Sequence, residues 1–146
     1  MSYNYFDGYK AKKFEVTEDF KAGDIQILPG DKMVKSKVVA ISFDSEGLDE
    51  GVELLKLSAG EVLLDLNCRV TTAWDSTTNE ISIGYGNDYD ELVDGEDIKS
   101  TGLVDRVSGS MPTALSGDEM VVKAKVDSTG DDATEGKAEV VMIYTC

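Results

Sequence analysis

The stretch ISIGYG, residues 81–86, carries two glycines one residue apart and runs straight into the acidic string NDYDELVDGED. A phosphate loop uses glycines to free backbone amides at a helix N-terminus, with a lysine or arginine close by. Here Asp88, Asp90, Glu91, Asp94, Glu96 and Asp97 follow the glycines and the next base is Lys99, so phosphate would be repelled. A calcium loop of the EF-hand kind needs oxygen ligands in a fixed order, with glycine at its sixth position and glutamate at its twelfth. Counted from Asp88, Asp90 fits but Leu92 and the late Gly95 break that order, and the loop DSTGDDATEG at 127–136 lacks it too. The pattern predicts solvated acidic loops between strands, with neither a metal nor another cofactor. Gly84 and Gly86 are then strand residues beside which something packs closely, or where a bulge relieves the sheet.

Other catalytic chemistry finds no constellation. The chain contains no histidine, which removes the commonest general base, metal ligand and partner of a nucleophilic Ser or Cys. A carboxylate pair for glycoside hydrolysis would be expected beside aromatic platforms, and there is a single tryptophan, Trp74. Its parity places it with Cys68 and Val70, facing a core. Lys123 and Lys125 alternate with apolar residues and read as a solvated strand face rather than as tuned nucleophiles. Cys68 reads as a buried small hydrophobe, and Cys146, the last residue, as incidental. The sequence predicts a protein that is not an enzyme.

The elements that would position these residues are strands. Val39, Ile41 and Phe43 share one face, followed by VELLKL at 52–57. A long strand over 62–74 places Val62, Leu64, Leu66, Cys68 and Val70 together. Ile81, Ile83 and Tyr85 alternate with Ser82 and Gly84. Met120, Val122, Ala124 and Val126 form another inward row, and Ala138, Val140, Met142 and Tyr144 a last one, whose reverse face (Val141, Ile143) suggests cover on both sides. Earlier, Phe14 with Val16 and Ile25 with Ile27 have the same period. Roughly eight strands with Gly-, Asp- and Ser-rich turns, and helix candidates only at YDELV and DEGVELL, predict an all-β fold. The expected architecture is a single antiparallel β-sandwich, jelly-roll-like, over residues 14–146, preceded by an extended N-terminal arm at 1–13.

Charge separates the chain into unlike parts. The 146 residues include 14 basic and 29 acidic ones, for a net charge of −15. Residues 1–43 hold seven lysines against six acids, and the remainder seven basic residues against 23 acids. A field of that sign disfavours nucleic acid. No apolar run reaches the roughly 18 residues that cross a bilayer, and the N-terminus has no signal-peptide core, so the expectation is a chain made in a cytoplasm and without a membrane partner.

The segment LLKLSAGEVLLDLNCRVTTAWDSTTNEISIGYGNDYDELVDG and the ending GKAEVVMIYTC resemble small virion proteins of tailed bacteriophages. Residues 53–95 and 136–146 carry the likeness, through a hydrophobic strand, a VTTAFD-like corner, a Gly-x-Gly with a polar loop, and a closing strand of G-x-x-x-V-x-x-x-Y type. That resemblance implies a β-sandwich structural part with no catalytic residues, of the capsid decoration (cement) type. Such a protein sits as a homotrimer on the capsid exterior and joins neighbouring copies of the major capsid protein. Connector or tail components, and a carbohydrate- or calcium-binding sandwich module, are the alternatives.

Residues 1–13 are the candidate contact segment. Tyr3, Tyr5, Phe6 and Tyr9 supply apolar area, either for a partner or for the domain's own core, while Lys10, Lys12 and Lys13 would face a neighbour's acids. Self-repulsion between acidic copies would steer contacts away from the loops at 44–50, 87–97 and 127–135.

Overall fold

Alternation of apolar and polar residues, broken by glycine- and aspartate-rich turns, produces eight strands and no helix among the described residues. The computed structural model describes residues 33–108 and 119–145. The strands are β1 (Val34–Ser42), β2 (Val52–Leu57), β3 (Leu63–Thr72), β4 (Thr78–Gly84), β5 (Val93–Asp97), β6 (Gly102–Leu103), β7 (Met120–Thr129) and β8 (Lys137–Thr145). They form two four-stranded sheets, in the orders β1-β8-β3-β6 and β2-β7-β4-β5. Every paired neighbour is antiparallel. Two sheets interleaved in this order are a jelly roll, in which the chain crosses between layers at most of its turns. The all-β sandwich expected from the sequence is the fold observed.

The inward rows of the two sheets meet in one core. Ile41 of β1, Leu66, Cys68 and Val70 of β3, and Ala138, Val140 and Met142 of β8 come from the first sheet. Leu54, Leu55 and Leu57 of β2, Ile81 and Ile83 of β4, Val93 of β5, and Met120, Val122, Ala124 and Val126 of β7 come from the second. Each fully buried Val, Leu or Ile of this set contributes about 1.5–3 kcal/mol of transfer free energy. Trp74 closes the core at the end of β3, and its backbone N–H donates to the Ile98 carbonyl at 3.1 Å.

Four local expectations need correction. In β3 the pairing with β8 shifts between Leu63 and Asp65, so Leu63 is buried while Leu64 is 39% exposed. A bulge adds one residue and inverts parity upstream of it, which is why Leu66, Cys68 and Val70 face inward as expected and Leu64 does not. Phe43 leaves the row of Val39 and Ile41, because the chain turns at Ser42–Ser45 and leaves the ring 39% exposed. The acidic stretch at 87–97 is not all loop: Val93 is buried and Val93–Asp97 pairs with β4. Neither DEGVELL nor YDELV is helical: the first is a turn at Asp49–Glu50 that runs into β2 at Val52, and the second a bend that runs into β5 at Val93. The arm at 1–13, its boundary at residue 14, and the strands read around Phe14, Val16, Ile25 and Ile27 lie outside the described residues.

Candidate functional site

The two sheets present different exteriors. On the second, register places Glu53, Lys56, Lys123, Lys125, Asp127, Glu80 and Asp97 outward, a charged and solvated face. On the first, the outward rows run Val38–Val141–Asn67, Ser36–Ile143–Asp65 and Ala40–Glu139–Arg69–Leu103. Val34 and Val38 are 54% and 59% exposed, and Val141 is 37% exposed. Leu64, turned outward by the bulge, joins the same side. Among the described residues no element covers this side of β8, where Val141 is partly exposed and Ile143 half-buried.

The charges on this face are largely matched. Arg106 Nη1 donates to Asp65 Oδ1 at 2.8 Å and to the Leu66 carbonyl at 3.2 Å, and Arg69 lies opposite Glu139 in the ladder. A chain of net charge −15 therefore keeps one sheet exterior nearly neutral, with Val34, Val38, Val141 and Leu64 exposed among matched charges and short polar residues, a composition that suits a contact surface. The strand β1 lies at the edge of this sheet, and no described strand pairs along its outer side.

Two solved structures share this fold. A chain of the cyanophage Pam1 capsid asymmetric unit superposes with a TM-score of 0.56 at 13% identity, over 78% of this chain and 85% of that one. A chain of the acid-stable capsid structure of Helicobacter pylori bacteriophage KHP30 superposes with a TM-score of 0.51 at 14% identity, over 79% and 93%. No protein-family model matches the chain. No curated protein matches it in sequence. The jelly roll is therefore a fold found in phage capsids.

The residues singled out for chemistry are structural where the chain is described. Cys68 is 1% exposed, and burial pushes its thiol pKa up to about 12. Trp74 is 2% exposed and is a core residue rather than a sugar platform. Lys123 lies with its Nζ 5.2 Å from the centroid of the Tyr89 ring, a cation–π contact on the strand surface. The glycines of ISIGYG have close neighbours: Glu91 folds back over both, and its carboxylate accepts the Tyr85 N–H at 2.8 Å. A side chain at Gly84 would place its Cβ 2.7 Å from the Glu91 nitrogen. Close approach explains these glycines, and Glu91 is the group that approaches.

Among the described residues no three His, Cys, Asp or Glu side chains group as metal ligands. No helix among them is long and apolar enough to cross a membrane. The arm residues Tyr3, Tyr5, Phe6, Tyr9, Lys10, Lys12 and Lys13 lie outside the described residues. The apolar exterior of the first sheet was missed by sequence reasoning. Its only signal was the unexplained pair Val141 and Ile143 on the reverse of β8, because Val34 and Val38 belong to a strand whose other residues set the expected face.

Proposed function

We propose that the chain is a structural component of a bacteriophage virion, a capsid decoration (cement) protein that binds the outer head surface as a trimer and stabilises the shell. The observation that carries this reading is the likeness of its jelly roll to chains of two phage capsid structures, over 78% and 79% of its length. Most of each matched chain is covered as well, 85% and 93%, so the likeness is to small capsid chains of similar size rather than to one domain of a large one.

The surface fits this role. An apolar, nearly neutral sheet exterior suits a protein partner, here the major capsid protein. A net charge of −15 disfavours contact with packaged nucleic acid and suits the outside of the shell. The reading requires no catalytic group and no cofactor, and it assigns the arm at 1–13 to contacts between copies or with the shell.

The test uses particles of the phage that carries this sequence. Mass spectrometry of purified heads should find the chain at a fixed ratio to the major capsid protein, and protease added outside intact heads should digest it. Val38→Lys with Val141→Glu, an opposite-charge pair across the β1–β8 ladder, should keep the melting curve close to the parent's yet lose binding to heads that lack the protein. Absence from particles, protection inside intact heads, or antibody labelling confined to the tail would each refute the proposal.

A further inference from the structure

The turns at one end of the sandwich enclose a cleft of about 500 Å³. Phe43, Leu48, Trp74, Val126 and Ala133 give it an apolar floor, while Asp44, Asp49, Asp131 and Asp132 line it with negative charge. No lysine or arginine lines it, and none of the four carboxylates has an ion-pair partner among the described residues. The shape is held in advance: Asp75 accepts the Thr134 N–H at 2.8 Å and hydroxyl at 2.6 Å, and the Glu135 N–H at 3.3 Å. Gly136, backed against the Trp74 ring, seats the loop that carries Asp131 and Asp132.

The arrangement of the acids selects the class of occupant. A bound cation needs several oxygens converging on one point, and no three carboxylates here do so. Acids spread along an apolar trough fit instead an extended segment whose lysines alternate with apolar or aromatic groups. This chain contains one: between Gly8 and Phe14 the sequence is GYKAKKF, with Lys10, Lys12 and Lys13, Tyr9 beside them and no acid. In an extended strand Lys10 and Lys12 would stand about 7 Å apart on one side, with Lys13 on the other.

We propose that the cleft receives residues 9–13 of a second copy of the chain, joining subunits head to tail. This rests on the reading of the protein as a repeated shell component. A second copy is favoured because a repeated shell component must join its like, and every copy carries both the cationic segment and the acidic cleft that complements it. A heterologous contact of this kind closes a ring when its rotation permits, as a trimer requires. It makes the cleft an exception to the expected avoidance of the loops at 44–50 and 127–135, since lysines from the neighbour neutralise the acids that would otherwise repel.

Charge reversal in the full-length chain tests the contact, with sedimentation equilibrium as the readout and a melting curve to confirm folding. Asp131→Lys with Asp132→Lys should weaken self-association about tenfold or more. Lys12→Glu with Lys13→Glu should do the same, and all four together should restore it. A parent chain that stays monomeric, reversed variants that associate like the parent, or a fourfold variant no better than its halves would overturn the proposal. Lys12→Cys in a tagged chain and Asp132→Cys in an untagged one, both with Cys146→Ser, should form a disulfide between chains on mixing. Cross-linking only when both cysteines share a chain would overturn it, and so would a melting-temperature rise saturating at micromolar calcium and lost in Asp131→Asn. Association through the cleft without binding to heads would refute the capsid reading alone and leave this inference standing.

Discussion

Replacing Gly136 with alanine isolates the contact that seats the β7–β8 turn on the core. A Cβ there would lie 2.5 Å from Trp74 Cγ and 2.6 Å from Cε2. The ring cannot retreat, because Trp74 is 2% exposed and its backbone is tied to Ile98. Forcing a methyl group into such a site costs about 1–3 kcal/mol. Gly136 also has φ of +151°, where a residue with a side chain is strained by a further ~1–3 kcal/mol. Gly102 provides the control, with φ of +138° and no atom within 4 Å of its would-be Cβ, so Gly102→Ala carries the backbone part alone. Gly136→Ala should then lose about 2–6 kcal/mol and Gly102→Ala about 1–3 kcal/mol. At ~2–4 °C per kcal/mol for a chain of this size, the first should lower Tm by roughly 5–20 °C. Urea denaturation followed by the fluorescence of Trp74, the only tryptophan, measures both changes with one reporter. Equal losses in the two variants, or a Gly136→Ala loss below ~0.5 kcal/mol, would refute the account of the ring contact.

Cys68 should resist a thiol reagent in native buffer and react in urea. Its folded pKa is raised to about 12, so the unfolded chain releases the proton first, and its contribution to stability is lost as pH rises from the ordinary thiol range toward 12. The parent should therefore lose more stability than Cys68→Ala over that window, and equal losses would contradict the assignment. Asp75 has its pKa lowered by the Thr134 hydroxyl and then by the Thr134 N–H. Its contribution is present above the ordinary aspartate value and lost as pH falls through the lowered one, so its NMR titration midpoint should move upward in Thr134→Val; an unmoved midpoint would remove Thr134 as the cause. Glu91→Ala should cost about 1 kcal/mol by leaving the Tyr85 N–H unpaired, and should relieve part of the cost of Gly86→Ala. Strict additivity of these two in a double-mutant cycle would show that the carboxylate does not occupy the space beside Gly86.

Strict alternation made much of the fold legible. The rows at 120–126 and 138–142 are buried as their period requires, and Cys68 faces the core with Val70; Trp74 is buried too, although β3 ends at Thr72 and its register shifts after Val70. What the period could not show was a change of period: the bulge between Leu63 and Asp65 leaves no mark in LLDLN, where three leucines permit either register. VDGED reads as a loop because acids and glycine disfavour strands. It pairs with β4 because Val93, with its preceding Leu92, is drawn into the core and carries the acids along an edge. Gly102–Leu103 is too short to have a period at all. The cleft was unreadable for a different reason. Phe43, Trp74 and Asp131 come from three turns far apart in sequence, and only the jelly-roll crossing pattern brings those turns to one end.

The apolar sheet exterior and the excess of acid elsewhere belong to one physical arrangement. An exposed face carrying Val34, Val38, Leu64 and Val141, bordered by an edge strand, is a hazard for a free subunit, because two such faces or edges can meet nonspecifically. Like charge on every copy opposes that encounter at close approach: at −15 each, two copies repel once they come within about a Debye length, roughly 8–10 Å at physiological salt. Repulsion of that range acts locally and is strongest where acidic loops face one another, so it suppresses contacts among free copies that bring those loops together. A partner surface that is not itself acidic escapes the penalty and gains the full apolar area. The same charge therefore selects what can cover that sheet, and leaves contacts between copies to places where a cationic segment meets the acids directly. The cleft beside Trp74 is such a place.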